Sequence, residues 1–429
     1  MLALFATADV SAAAEAARQD KRAPLEFGID RSNMATQWTL APPHEPNISP
    51  FLAPDYNKPG NFEARRVAVL DGIARVHAQW FRDGFGKGPP DLFIDLVKLV
   101  HARGMKMLAV YGAAVSDFPP GAYLSKAQSG CPWGVYPLSK INLAAYQTRI
   151  EAQFAAVRAA GETVDAFEIG NELDLYCNDA DSPTGAEWAK WKWFLSPAQV
   201  QTFVCGYAPY LAASVASIRK YFPQAKIITY GNSMPASAPL IEALAKVRDP
   251  DGKITDYTKL VDGYGSHLYP VSDTTQNMVQ EATGALLYEA AHYPHLNEKS
   301  IWITEWNPSA SSWWNSRPWY FQYDARGQIG SDLNKADSRG AYKAMDRAGA
   351  IRAFNHDVVE KLRSSAPMPV NISHVFFYDY DSGGKSPKCE HVKYSWDLNL
   401  TGWCVDGVID PSNGNLLSDV AAAVSGAAR

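Results

Sequence analysis

Short apolar runs alternate with longer stretches of amphipathic pattern along almost the whole chain. Eight of these runs have the length and composition of buried strands: 25–30, 76–85, 105–112, 164–172, 225–232, 261–269, 300–307 and 374–380. Helical periodicity falls between them, over 91–103 with Gly104 as its stop signal, and over 143–160, 197–222 and 335–363. A closing helix is expected over 416–427. Strands that each lead into a helix predict an α/β protein of the (β/α)8 TIM barrel type. No linker and no internal repeat divides residues 24–429, so one catalytic barrel is expected, without an appended β-sandwich, after an Ala-rich lead-in over 1–23. The longer irregular stretches 38–60, 116–139, 177–193, 309–333 and 381–410 each follow a strand. In a barrel such loops build the face that carries the site. A doubly wound sheet would need a Gly-rich phosphate loop, and no G-x-G-x-x-G follows the first strand.

Composition narrows the partners more than the fold. With 47% hydrophobic and 20% charged residues, 429 residues can bury a sizeable core. A formal net charge of −5 gives no basic footprint for nucleic acid, although a locally basic site for a polyanion stays open. The 13 Trp and 21 Tyr suit stacking on sugar faces and equally suit barrel packing. No apolar stretch is long enough to span a membrane. The start, Met1 to Ala16, resembles the end of a signal peptide without its basic region, so export is expected, and the chain is expected to act as a monomer. Of five cysteines, Cys389 with Cys404 and Cys131 with Cys177 can pair. Cys205 reads as a buried free thiol, and an all-reduced set remains open. None of the spacings resembles a zinc site.

The chemistry sits at two strand ends. Phe167-Glu168-Ile169-Gly170-Asn171-Glu172 and Ile301-Trp302-Ile303-Thr304-Glu305-Trp306 are apolar runs that each end in a carboxylate. Two such acids suffice to cleave a glycosidic bond: Glu172 as acid/base and Glu305 as nucleophile. They are coupled, since repulsion from ionised Glu305 keeps a proton on Glu172 until the nucleophile is esterified. Asn171 beside the acid can donate its amide to a sugar 2-hydroxyl. A metal-dependent barrel hydrolase would need a first-strand His-x-His, where this chain has Gly28-Ile29-Asp30, so neither metal nor cofactor is implied.

Gly170-Asn171-Glu172 and Thr304-Glu305-Trp306 resemble the two signatures of clan A glycoside hydrolases. The resemblance implies a retaining β-glycosidase barrel, with the acid/base after strand four and the nucleophile after strand seven. The run Glu168 to Tyr176 is similar to the heparanase and β-glucuronidase family of that clan, which implies a carbohydrate substrate containing uronate. Neutral β-glycans, a bacterial exopolysaccharide and a catalytically silent sugar-binding barrel are the alternatives. Within the resemblance, Arg82 matches a strand-two arginine near the nucleophile. Tyr269 matches a strand-six tyrosine that hydrogen-bonds the nucleophile, and His267 shares its side-chain parity. Trp306, with Trp313, Trp314 and Trp319 in the next loop, is a candidate sugar subsite. Tyr378 and Tyr380 stand where the clan places an aromatic platform. Asp30, Asn33 and Asn232 are further candidate polar contacts at strand ends.

Overall fold

The computed structural model describes residues 24–30, 61–85, 90–129, 134–182, 197–232, 238–249, 251–269, 275–292, 298–307, 347–364, 370–378, 380, 383–385, 403–405, 407–409 and 415–426. Eight strands form a closed barrel: β1 Glu26–Asp30, β2 Trp80–Phe85, β3 Lys106–Tyr111, β4 Ala166–Asn171, β5 Lys226–Gly231, β6 Gly263–Leu268, β7 Ser300–Trp306 and β8 Ile372–Tyr378. Each strand pairs in parallel with its neighbours in sequence, and β8 closes on β1. This is the TIM barrel that the alternating pattern predicts.

Helices cover the outside: α1 Asn61–Arg75, α2 Pro90–His101, α3 Leu143–Ala159, α4 Pro197–Tyr221, α5 Ala238–Leu244, α6 Thr275–His292, α7 Arg347–Ala353 and α8 Ser418–Val424. α3 starts where Asn142 accepts from Ala145 N at 3.1 Å, which satisfies one of the open amides of its first turn. Parts of the helical shell departed from expectation. The predicted helix over 335–363 is, in its described part, α7 followed by a π-turn at Phe354–Glu360 and a last turn at Lys361–Ser364. β2 begins at Trp80 rather than at Val76, because Val76 and His77 close α1 in a turn and His77 has φ of 60°. The lead-in 1–23 lies outside the described residues.

Two layers fill the barrel. The lower is apolar: Trp80, Leu108, Ala166, Ile228, Trp302 and Phe376 form their own buried cluster. Arg82 and Glu168 stand two residues further along β2 and β4 than Trp80 and Ala166, so alternation brings them to the layer above. A buried apolar floor thus lies directly below a charged mouth.

Candidate active site

Two backbone irregularities aim the candidate catalytic pair. On β7 the register with β6 runs Ser266 to Ile303 and then His267 to Glu305, so Thr304 is an extra residue. Straight alternation from inward-facing Trp302 would turn Trp306 inward and Glu305 outward. The bulge reverses this. Thr304 and Glu305 both reach the interior, where Thr304 Oγ1 donates to Glu168 at 3.1 Å. Trp306 is only 2% exposed and stacks on Phe354 of the helical shell at 3.7 Å between ring centroids. Trp306 is therefore a core residue, contrary to its reading as a sugar subsite. At the end of β4, Gly170 has φ of 97° and Glu172 has φ of 45°. A side chain at positive φ carries strain that surrounding contacts must hold. Here Glu172 N donates to Gly231 O at 3.0 Å, and Asn178 Nδ2 donates to Glu172 O at 3.1 Å.

Glu305 is buried and held from three sides. Arg82 Nη1 donates to its Oε1 at 2.6 Å and Tyr269 Oη donates to its Oε2 at 2.7 Å. His267 Nδ1 lies 3.4 Å from Oε2 and 3.0 Å from Glu172 Oε1, so one ring nitrogen spans both glutamates. Arg82 also binds Glu168 through Nε at 2.7 Å, Asn171 Oδ1 through Nη2 at 2.7 Å, and Asp30 through Nη1. An arginine only donates, so the oxygen of the Asn171 amide faces Arg82 and its NH2 faces away.

The charges follow from burial set against neighbours. Burial alone would push the Arg82 guanidinium down. Glu168, Asp30 and Glu305 overcome it and raise it well above its ordinary value. Burial also works against an imidazolium at His267, yet Glu305, Glu168 and Glu172 lift it to about 10. Glu168 is fully buried, and the opposing pull of Arg82 and His267 lowers it to about 2. Burial, then the charge of Glu305, raises the Tyr269 phenol well above its usual range, so it remains a donor. The three groups Glu172, His267 and Glu305 offer ligand atoms within 4.8 Å of one another, close enough to consider a cation site. His267 Nδ1 sits between the two carboxylates, where a protonated ring donates to both of them.

The sequence-derived set divides cleanly. Glu172, Glu305, Asn171, Arg82, Tyr269 and His267 come together. Asp30 is fully buried against Arg82 and offers nothing to a substrate. Asn232 is buried, and its carbonyl accepts from His267 N at 2.9 Å, so it positions the histidine backbone. Tyr378 meets Tyr269 edge to face at 6.0 Å. Tyr380 is buried, with its hydroxyl at Gly72 of α1, and is no platform. Asn33, Trp313, Trp314 and Trp319 lie outside the described residues. Cys177 is in a disulfide, which removes the all-reduced reading, and Cys205 is an exposed rather than buried free thiol, contacted by Gln201 at 3.1 Å.

Two participants escaped sequence reasoning. Glu168 lay inside the quoted run, and its even spacing from Glu172 was the available signal. Gly231 is the other. A Cβ there would stand 2.2 Å from His267 Nε2 and 2.7 Å from Glu168 Oε1, so only glycine leaves room for the imidazole. A glycine inside a strand pattern is a known mark of such close approach.

No family model and no curated protein matches the chain. Solved structures do. The virulence factor SghA, in complex with its substrate analog salicin, shares 14% identity at a TM-score of 0.51, over 96% of this chain and 98% of that one. The beta-glucosidase from Thermotoga maritima in complex with cyclophellitol shares 12% at a TM-score of 0.50, over 95% and 98%. At this identity the likeness establishes the fold: the chain is similar along nearly its whole length to TIM barrels of these two proteins.

Proposed function

We propose that this chain is a retaining β-glycosidase, with Glu305 as nucleophile and Glu172 as acid/base. The observation that carries the reading is the approach of the two carboxylates, an oxygen of each lying within 4.8 Å. Retaining pairs stand roughly 5–5.5 Å apart, while inverting pairs leave roughly 6.5–9.5 Å for a water. Glu305 attacks the anomeric carbon as Glu172 gives its proton to the departing oxygen. Water then enters under base catalysis by Glu172, and the sugar–Glu305 ester is cleaved. Arg82 and Tyr269, one on each nucleophile oxygen, orient the carboxylate for attack.

For the sugar itself, the described residues favour a neutral ring at the point of cleavage. Among them, Arg82 and His267 are the cations within ion-pair distance of the two glutamates, and both already serve protein carboxylates. The Glu168–Tyr176 run supports the alternative, a uronate-containing chain. The Cys177 disulfide supports export to an oxidising compartment. No described helix is long and apolar enough to cross a membrane.

The test is release of reducing ends from heparan sulfate, hyaluronan, xylan, mannan and β-glucan, with Glu305→Ala alongside. Activity on one glycan should fall by on the order of 10³-fold or more in the variant. The first product anomer, read by NMR, should keep the β configuration; an α product would overturn the retaining mechanism. Cleavage confined to a uronate chain would replace the neutral-sugar reading.

A further inference from the structure

Glu168 takes no part in the chemistry just described, yet its carboxylate accepts four hydrogen bonds beneath it. Its Oε1 accepts from Gly231 N at 2.7 Å, Thr304 Oγ1 at 3.1 Å and Arg82 Nη2 at 3.2 Å, and its Oε2 accepts from Arg82 Nε at 2.7 Å. It is fully buried. Four donors on a buried carboxylate hold it ionised.

Its position bears on a close contact whose cost depends on the protonation of the ring. Arg82 Nη2 lies 3.4 Å from His267 Nε2, with both side chains almost wholly buried. A neutral ring would accept from Arg82 at Nε2, whereas a protonated one places two cations at that separation, which repel strongly where water cannot screen them. Glu168 Oε1 stands at both, 3.2 Å from Arg82 Nη2 and 3.8 Å from His267 Nε2. The remaining charged groups on the pair lie on the far sides. Asp30 from β1 and Glu305 from β7 face the other Arg82 nitrogen, and Glu172 and Glu305 face the other nitrogen of the ring. Tyr269, which follows β6, is a neutral donor to Glu305.

We infer that Glu168 is a positioning residue, the buried counter-ion that lets Arg82 and His267 stand in contact as two cations. Of the two candidate catalytic glutamates, Arg82 then meets only Glu305, and the imidazolium spans both. Without the Glu168 charge, the ring relieves the contact by losing its Nε2 proton and accepting from Arg82. The catalytic pair would face one fixed cation in place of two. This assignment concerns the site described above and rests on the glycosidase reading only for its consequence in catalysis.

The experiment is nitrogen NMR of protein labelled in its nine histidines, with His267 assigned by its loss in His267→Gln. Wild type should show both His267 ring nitrogens protonated at pH 8. Glu168→Gln should lower the His267 titration midpoint by about 1 pH unit or more, since one unit is the scale of a single close charge. Glu168→Asp, which keeps the charge, should stay close to wild type. A neutral His267 in wild type at pH 8 would overturn the proposal, as would a Glu168→Gln protein with an unmoved midpoint. If Glu168→Gln does not fold, the wild-type and Glu168→Asp titrations still decide. None of these arms uses a substrate. A chain that cleaves no glycan yet passes them loses the proposed activity and keeps the charge assignment.

Discussion

The floor and the mouth of this barrel treat a histidine in opposite ways. At the floor, His374 of β8 stacks on Trp302 at 3.4 Å between centroids and meets Trp80 edge to face at 5.1 Å. Burial lowers its pKa, and Glu26 on the paired strand β1 does not reverse the direction. At the mouth, His267 is more deeply buried and yet raised to about 10, because three carboxylates converge on it. Burial by itself thus says little about charge. What decides is whether enough opposite charge is buried alongside. The floor is built for packing, and the mouth holds a dense set of ion pairs that stays in place because each member is satisfied.

Arg82→Met should break the contrast most severely. It strips the shared cation from buried Asp30 and Glu168, and leaving a buried partner uncompensated costs about 3–5 kcal/mol. Denaturant unfolding would measure it, and a loss near zero would mean the mouth is not held by charge.

Gly231→Ala comes next. Its Cβ, 2.2 Å from His267 Nε2, must push the imidazole away from the glutamates. Overpacking of this kind costs about 1–3 kcal/mol. It should also shift the His267 titration, which a floor substitution should leave alone.

Trp302→Phe tests that floor. It shortens a ring that packs on His374 and Phe376, with an expected loss of about 1–2 kcal/mol and an unmoved His267 titration. A His267 shift in this variant would show that the two layers are coupled.

The last test is the pH dependence of stability. His374 has a lowered pKa in the fold, so its contribution is present above the unfolded imidazole value, about 6.5, and is lost as pH falls. His374→Gln should flatten that acid-side decline below pH 6.5. His267 works with the other sign. Its contribution is present below about 6.5 and is lost as pH rises through about 10, so His267→Gln should flatten the alkaline side instead. Flattening on the same side in both variants would erase the distinction between floor and mouth.

Much of this was legible from residues alone, and the parts that were not have a common cause. The β3 strand was expected over 105–112 and runs Lys106–Tyr111; β7 was expected over 300–307 and runs Ser300–Trp306. Buried parallel strands write themselves as local apolar runs, which is why their positions survive translation to structure. Glu172 and Glu305 were legible for the same reason, each closing its own run. Trp306 was misread because a one-residue bulge inverted the parity of β7, and nothing in seven residues announces a bulge whose partner is another strand. Tyr380 was misread because its partner is Gly72, far away on α1.

The sequence by itself therefore determined the barrel, the order of its strands and the identity of two carboxylates at strand ends, since each depends on patterns a few residues long. The tertiary structure decided which way Glu305 and Trp306 point, why position 231 must be glycine, and which buried groups carry charge. Those depend on pairs such as Arg82 with Glu168, 86 residues apart, and Arg82 with His267, 185 apart. A protonation state is the balance of desolvation against every nearby charge, and that balance exists only once the chain has brought those charges together.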